Sequence, residues 1–401
     1  MAEMVDESLD RTVERCASLL MTTNQDDLQA GINLLSCSLH MDNPDVTKHS
    51  RLLQEVAAYR GGILLGRLLL SLLKETPNGT ESKQVLEGYF TLALSILSAS
   101  KVVVERCLRS DGTRAEPEIA LKICAALIHR IVGNARNLPK SEDLRHLSEI
   151  AIADSLECLV NFARGSKRFR DALRDSLDQR SGFEQFKDLL DAEFLSSLFA
   201  PVALKIRLHL SSLAVNLAFS ADSQSWAIDM GLLKLVAAIY EASPLQELSA
   251  PSQRRMAPAF RCNKVLLRLL AEDTTAEKLR AHNAFSEFRP HQRKIHDAEP
   301  EPNPWQFFEQ RLRGVTFRAD TPAILAQDWK LVEESCSGSV PAHVVCAYKG
   351  CAASREPVVG KGFSKCGRCH VARYCSKEHQ KLHWATHKVH CKEFWAGEGA
   401  L

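Results

Sequence analysis

The sequence predicts a mainly α-helical protein in which a long helical domain precedes a small cysteine-rich module. Apolar residues recur at three- and four-residue spacing through the first 288 residues, which is the pattern of helices with one buried face. No stretch shows the sustained two-residue alternation that predicts half-buried strands. Cysteine and histidine then crowd into the last fifty-odd residues as close pairs. We therefore expect an all-α domain followed by a module that depends on cross-links or metal.

Four runs carry the helical spacing most clearly. Each has one apolar face and is bounded by glycine, proline or asparagine breaks. The runs lie at residues 120–131, 152–163, 206–217 and 232–239. The most apolar run, residues 61–73, contains Arg67 and is too short to span a bilayer. It is therefore expected to be a buried helix.

Length and composition limit the class of protein. The chain has 401 residues, of which 45% are hydrophobic, and its formal net charge is only +2. A net charge this close to zero produces no overall positive potential that would indicate binding to nucleic acid. The first twenty residues carry Asp6, Glu7, Asp10 and Glu14, which have the wrong sign for a signal peptide. We expect an intracellular protein, cytoplasmic or nuclear or both, with protein partners and no membrane.

Two segments of the helical domain resemble each other. The tetrapeptide Val-Asn-Phe-Ala at 160–163 returns as Val-Asn-Leu-Ala at 215–218, and a glycine, Gly182 or Gly231, precedes a third helix in each segment. This order resembles an armadillo or HEAT-like repeat, although the separation of 55 residues requires an insertion in a repeat of about 40 to 47 residues. The resemblance implies stacked helices with a concave binding face. An irregular helical bundle is the alternative.

The composition changes after residue 288. Residues 289–304 hold four prolines and no apolar period, which predicts a stiff, exposed linker. Trp305, Phe307, Phe308 and Leu312 then indicate a short amphipathic helix, and residues 322–334 indicate another. We therefore divide the chain into a helical domain at 1–288, a proline-rich linker with short helices at 289–342, and a C-terminal module at 343–395.

Eight side chains in the C-terminal module have the spacing of metal ligands. They form four pairs within 46 residues: Cys346 and Cys351, Cys366 and Cys369, Cys375 and His379, His387 and Cys391. Zinc takes four thiolate or imidazole ligands in structural sites, so eight ligands make two closed sites with no open position for a catalytic water. Disulfides or buried thiols are the alternative, but cysteine pairs in an intracellular protein more often bind metal. We expect two zinc ions.

Seven residues of this module, beyond the spacing of its ligand pairs, form a specific motif: Tyr374, Cys375, Ser376, Gln380, Trp384, His387 and Cys391. With them the module resembles a MYND-type zinc finger. The resemblance covers residues 346–391, about an eighth of the chain, and shows two departures: His379 replaces a usual cysteine, and the first pair is more widely spaced than usual. Since zinc accepts imidazole and thiolate alike, His379 preserves the number of ligands.

The resemblance implies an interleaved set of ligands. The first zinc would be held by Cys346, Cys351, Cys375 and His379, and the second zinc by Cys366, Cys369, His387 and Cys391. Each ion would then close a long loop, which replaces the hydrophobic core that so small a module lacks. Ser376 is placed to cap a helix over about 377–389 that carries both histidines. His383 shares their face and is expected to be a partly exposed neighbour, with service as a ligand the alternative.

MYND fingers bind proline-containing peptides along this helix, and the resemblance assigns Gln380 and Trp384 to that surface. Core packing between the two zinc lobes is the alternative role for Trp384. We therefore expect a non-enzymatic protein-interaction adaptor, with a peptide on the finger and a second partner on the helical domain. Helical MYND proteins of similar architecture include ubiquitin-ligase adaptors and proteins that assist dynein-arm assembly.

Two other functional classes are alternatives. A DNA-associated transcriptional regulator would need base-reading side chains, but the predicted finger helix offers Lys377, Lys381 and Lys388 and no arginine. A MYND-containing lysine methyltransferase would carry an Asn-His-Ser-Cys signature, which the sequence lacks. We therefore expect no enzymatic activity and no nucleic-acid partner. We also expect that loss of a zinc ligand unfolds the finger while the helical domain stays folded.

Overall fold

The computed structural model describes residues 2–39, 46–74, 81–108, 117–179, 181–218, 221–250, 254–300, 303–315, 346–348, 351, 363–368 and 372–391. These residues are almost entirely helical, and the two strands among them lie in the C-terminal module. This confirms the prediction of a mainly α fold. The chain divides into a first unit, made of Met1–Ile128, Arg164–Ala172 and Ser337–Leu401, and a second unit, made of His129–Ala163 and Leu173–Cys336.

The first unit buries the apolar faces of its N-terminal helices against one another. Asn24 starts the second helix because its side chain accepts hydrogen bonds from the backbone NH groups of Asp26 and Asp27. Leu20 and Leu28 are fully buried where the first two helices meet. The helices are Ala2–Leu20, Gln25–Leu39, Val46–Ala58, Ile63–Leu73, Glu81–Ser98 and Lys101–Cys107. Pro117–Arg136, Glu142–Gly165 and Lys167–Asp178 each contain residues of both units.

The most apolar run forms a buried helix, Ile63–Leu73, as predicted. Its charged residue is accommodated because Arg67 donates a hydrogen bond to the Thr22 carbonyl at 3.0 Å and lies 4.9 Å above the ring of Phe90. The longer segment Ser50–Leu73 is long and apolar enough to cross a membrane by length and composition. Its backbone breaks at three consecutive residues with positive φ, Arg60 to Gly62. It is therefore a pair of core helices joined by a turn.

The second unit is built around the helix Ala200–Leu217, whose Ile206, Leu210 and Leu213 are fully buried. Asp191 caps a preceding short helix by accepting from the NH groups of Glu193 and Phe194. The remaining α-helices described in this unit are Ala192–Ser197, Ala221–Asp229, Leu232–Ala242, Pro258–Leu270, Asp273–Ala281, Ala284–Phe288, Gln292–Ala298 and Pro304–Leu312. Short 3-10 segments lie at Gly182–Leu190, Leu245–Leu248 and Arg289–His291.

The two similar segments share an order of elements. Gly182 and Gly231 both have positive φ, of 61° and 92°, which explains why glycine stands before the third element of each segment. The extra helix Ala192–Ser197 accounts for the wide separation. Asn216 is buried and donates to the Val160 carbonyl at 3.5 Å, so this asparagine joins two helices. A regular armadillo array stays a prediction.

The exposed linker predicted at 289–304 is wrong for its described residues. They form the 3-10 turn Arg289–His291 and the helix Gln292–Ala298, in which Ile295 is fully buried. Asn263 donates to the Ile295 carbonyl at 2.9 Å, which fixes the segment to the unit's core. The prediction of a linker failed because Pro290 and Pro304 lie in the first turns of helical elements, where proline is tolerated.

The short helix predicted after this segment is confirmed as Pro304–Leu312, and Phe308 is fully buried against Phe288. The second short helix, predicted at 322–334, lies outside the described residues. The domain boundaries predicted at residues 342 and 395 do so as well and stay predictions.

Candidate metal centre

Two short strands build the first part of the C-terminal module. Ser364–Lys365 and Arg373–Tyr374 pair antiparallel, and the Cys366 NH donates to the Ala372 carbonyl at 2.9 Å. The Ala347 NH donates to the Arg373 carbonyl at 2.7 Å, which brings the first cysteine pair alongside the second strand. The ladder therefore places thiols from distant parts of the module on neighbouring backbones.

The finger helix, Lys377–His390, confirms the predicted capped helix. Its cap is Ser376, whose hydroxyl oxygen accepts from the His379 NH at 3.2 Å. His379 and His387 are eight residues apart, which on an α-helix corresponds to a rise of about 12 Å. Ligands of one zinc lie within about 4 Å of each other. The two histidines therefore serve different sites.

Four predicted ligands converge at the start of the finger helix. Ligand atoms of Cys346, Cys351, Cys375 and His379 all lie within 4.8 Å of one another. The His379 Nδ1 atom lies 3.0 Å from the Cys375 sulfur and 3.8 Å from the Cys346 sulfur. The Cys351 and Cys375 sulfurs are 3.6 Å apart. This is the set that the interleaved arrangement predicts for one zinc.

The Cys351–Cys375 sulfur separation and the distance from the Cys346 sulfur to His379 Nδ1 fit a tetrahedral metal site, whereas the Cys375 sulfur lies closer to His379 Nδ1 than that geometry requires. With a Zn–S distance of about 2.3 Å and a Zn–N distance of about 2.05 Å, tetrahedral geometry places two sulfurs about 3.8 Å apart and a sulfur and nitrogen about 3.6 Å apart. The observed sulfur–sulfur separation of 3.6 Å agrees with this value. It is far longer than the roughly 2.05 Å of a disulfide bond. The cluster is therefore arranged for zinc.

The second cluster lies further along the helix. Ligand atoms of Cys366, His387 and Cys391 lie within 4.8 Å of one another, and the Cys366 and Cys391 sulfurs are 3.7 Å apart. Cys369, the fourth predicted ligand, lies outside the described residues and stays a prediction. Three convergent soft donors with the same sulfur spacing make this cluster suitable for a second zinc.

Electrostatics also favour a cation in the first cluster. Desolvation, followed by hydrogen bonding with the Cys351 and Cys346 thiols, raises the pKa of Cys375 to about 12. Three crowded thiolates would repel one another without a cation among them. A coordinated zinc reverses this effect, since a metal-bound thiol is deprotonated outright.

Tyr374 and His383 occupy the interior between the two clusters. Tyr374 is fully buried, and its hydroxyl lies 3.1 Å from the His383 Nδ1 atom. The Tyr374 ring also packs on the ring of His387 at 6.3 Å. His383 is only 6% exposed and belongs to neither cluster. The expectation of a partly exposed His383 is therefore wrong, because Tyr374 covers that face of the helix.

The two residues assigned to peptide binding lie outside the module's buried core. Trp384 is 40% exposed and its ring packs at 6.0 Å beside His387, while Gln380 is partly exposed. Leu382 on the same helix is 60% exposed, and sequence analysis had not singled it out. The buried core among the described residues consists of four cysteine ligands with Ala347, Ala372 and Tyr374, and Trp384 is not part of it. A peptide-binding role for Gln380 and Trp384 stays a prediction.

Comparison with protein families agrees with this geometry. The family model described as MYND finger matches residues 346–391. These residues are a MYND finger. The match spans every predicted ligand, and the finger's two Cys/His clusters are those of a module that holds two zinc ions. A MYND finger is a zinc-binding protein-interaction module, which gives the C-terminal part of this chain its general role.

Sequence reasoning missed several residues of the MYND finger. Tyr348 packs on the ring of His379 at 4.8 Å, and Arg373 carries a side chain that is only 9% exposed. An arginine two residues before a ligand resembles any surface basic residue in a sequence. The sequence offered one signal for such a residue, the Tyr374-Cys375-Ser376 step, in which Tyr374 fills the buried core of the finger.

Proposed function

We propose that this protein is a non-enzymatic adaptor whose MYND finger binds short proline-containing peptides beside Trp384. The observation that carries the proposal is a solvent-facing tryptophan on a helix fixed by metal ligands. An exposed aromatic ring is costly to keep in water and suits the rigid ring of proline, which docks at low entropic cost. Trp384 is not a ligand, so its exposure is not needed to hold zinc.

Gln380 extends this surface, because it lies one helical turn before Trp384 on the same face of the finger helix. It is partly exposed and offers an amide that can donate to and accept from a peptide backbone. A proline-containing peptide matches such a surface, since its carbonyls remain available for hydrogen bonding. Leu382 is more than half exposed but lies two residues from Trp384, on a different face. The zinc ions would act by holding the helix rigid, which lowers the entropic cost of binding.

The test uses the full chain and an array of proline-containing peptides. Trp384→Ala should weaken binding of the best peptide by about thirtyfold, since losing an aromatic anchor costs about 2 kcal/mol. Zinc content should stay at two ions per chain. Phe199→Ala is the matched control, because Phe199 is an exposed aromatic residue of the second unit. Peptide binding that survives Trp384→Ala, or zinc that is lost with it, would overturn the assigned surface.

The helical part is proposed to hold a second partner, as in a ubiquitin-ligase or assembly adaptor. Affinity capture with the full chain and with the Trp384→Ala variant separates the two interactions. Proteins lost by the variant bind through the finger surface, and proteins retained by it bind elsewhere on the chain. If the variant loses every partner, the second binding surface does not exist.

A further inference from the structure

The MYND finger and the N-terminal helices belong to the same compact unit and touch through specific polar contacts. Arg51, on the helix Val46–Ala58, donates from Nη2 to the carbonyl oxygen of Cys346 at 3.3 Å. Arg51 is only 9% exposed, so its charge is largely desolvated. The acceptor belongs to a residue whose thiol is in the first metal cluster. The contact therefore links a buried charge of the helices to a predicted zinc ligand.

A second contact joins the finger's second strand to another helix. Arg373 Nη2 lies 2.5 Å from the Glu105 carboxylate, with Arg373 9% and Glu105 31% exposed. Arg373 stands two residues before Cys375, and its carbonyl accepts from the Ala347 NH. Desolvation offsets much of the attraction in such a pair, but removing Glu105 alone would leave the desolvated Arg373 charge without this carboxylate, which is strongly destabilising. The pair thus ties the helix Lys101–Cys107 to the backbone around the first cluster.

The third contact is apolar and sterically defined. The finger helix packs against the Tyr59–Gly62 turn, and Ala58 packs on the buried core of the finger. Arg106 stabilises the turn by donating a hydrogen bond to the Gly61 carbonyl at 2.5 Å. A Cβ at Gly62 would lie only 2.2 Å from Arg106 Nη2. The hydrogen bond from Arg106 and the left-handed backbone of Gly61 and Gly62 therefore stabilise the turn that the finger helix contacts.

We infer that the finger is an integral part of the N-terminal helical unit, so that zinc at Cys346, Cys351, Cys375 and His379 also stabilises the helices Val46–Ala58 and Lys101–Cys107. The three contacts reach the finger through the backbone that carries this cluster and through its helix. When the cluster loses its metal, that backbone loses its cross-links, and Arg51 and Glu105 lose the partners that the folded finger supplies, the Cys346 carbonyl and Arg373. A finger on a flexible tether would leave the helices unaffected.

Hydrogen exchange on the full chain tests the coupling. Treatment with a zinc chelator should remove protection from the finger and also from Val46–Ala58 and Lys101–Cys107. The helix Ala200–Leu217 of the second unit serves as the internal reference and should keep its protection. If only the finger loses protection, the finger folds independently and the inference is wrong.

A variant at the ion pair supplies an independent measurement. Glu105→Ala should speed zinc release to a chelator by about tenfold or more, since truncating one partner of a shielded pair is strongly destabilising. Glu118→Ala is the matched control, because Glu118 forms an exposed pair with Lys122 in the same unit. Equal release rates for both variants and the wild type would refute the coupling.

Circular dichroism shows, before any chelator is added, whether Glu105→Ala disturbs its own helix. If it does, the double variant Glu105→Arg with Arg373→Glu tests the ion pair instead, because it restores a pair of opposite charges. Restored zinc retention in the double variant supports the ion pair as the link. If the double variant retains zinc no better than Glu105→Ala does, the ion pair does not couple the finger to the helices, and this part of the inference is wrong.

Discussion

The second unit and the MYND finger reach a defined structure by different means. The second unit buries large apolar side chains, including Ile206, Phe288 and Phe308, at essentially zero exposure. The finger's buried set is dominated by cysteine, with Tyr374 as its one large side chain among the described residues. A module of this size cannot bury enough apolar surface to offset its chain entropy, so cross-links must do so. The size of a module therefore decides whether apolar burial or cross-links stabilise its fold.

The two regions also treat buried polar groups differently. In the second unit several of them pair with one another, as when the Tyr240 hydroxyl donates to Asn263 at 2.6 Å and Lys264 pairs with Glu299 at 2.5 Å. These pairs offset the cost of desolvation and fix the positions of helices. In the finger, buried thiols and imidazoles instead converge as ligands. Perturbing each kind of interaction should therefore have separable effects.

The largest effect is expected from removing a zinc ligand. Cys366→Ser should reduce the zinc content below two ions and unfold the surrounding part of the finger, because a structural zinc in small modules contributes on the order of 10 kcal/mol to folding. Elemental analysis measures the zinc, and hydrogen exchange measures the finger. The second unit should remain folded, because apolar burial holds it.

Cys37→Ser is the matched control for that variant. Cys37 is an exposed thiol in the helix Gln25–Leu39 and belongs to neither ligand cluster. It should therefore leave two zinc ions in place. A Cys366→Ser protein that still holds two ions would show that zinc is bound by other residues.

A core truncation in the second unit should have the next largest effect. Phe308→Ala should lower the free energy of unfolding by about 3 to 5 kcal/mol, the cost of a cavity at a buried aromatic position. Zinc content should not change. Urea unfolding followed by circular dichroism measures the loss, with the partly exposed Phe307 as the site of a control truncation. Equal and small effects at both sites would show that Phe308 does not belong to the core of the unit.

A smaller effect concerns a buried carboxyl group of the second unit. Asp154 is 1% exposed, and neither carboxylate oxygen has a hydrogen-bond partner among the described residues. Burial first, and then the charge of Glu157, raise the pKa of Asp154 from 3.8 to about 7, against a lowering effect of Lys205. At pH values between 3.8 and about 7, the Asp154 carboxyl group is ionised in the unfolded chain and protonated in the folded chain. Stability should therefore fall as the pH rises, by about 2 kcal/mol between pH 5 and pH 7.

Asp154→Asn isolates this contribution. The variant cannot ionise, so its stability relative to the wild type should increase from pH 5 to pH 7 by the same amount. Urea unfolding at both pH values gives the difference, from which effects shared by the two proteins cancel. Asp171→Asn, at an exposed acid paired with Lys167, should show little of this pH dependence. A constant difference between wild type and Asp154→Asn would mean that Asp154 ionises normally.

Local patterns in the sequence were sufficient for much of the fold and the finger. The three- and four-residue spacing predicted the helices, since a helical face is set by residues one turn apart. The Ser376 cap and the close ligand pairs also depend on neighbours within about four residues. These features need no knowledge of the remaining chain, and the structure contains the helices, the cap and the converging ligands.

Burial at single positions required the tertiary structure. His383 was expected to be partly exposed, but Tyr374, nine residues earlier, covers it. Residues 289–300 were expected to be exposed because of their prolines, but Asn263 and Lys264 bind Ile295 and Glu299, which are buried. Both errors have one cause, which is that the local sequence does not specify which distant residues cover a given position.

The helical character of the chain and its two-cluster zinc module follow from the sequence, because helix periodicity, capping and ligand chemistry act over a few residues. The place of the module within its unit follows from long-range packing. Arg51 meets Cys346 across 295 positions of sequence, and Glu105 meets Arg373 across 268. A buried arginine and its distant acceptor have no shared local signal, since only the packing of the intervening helices brings them together.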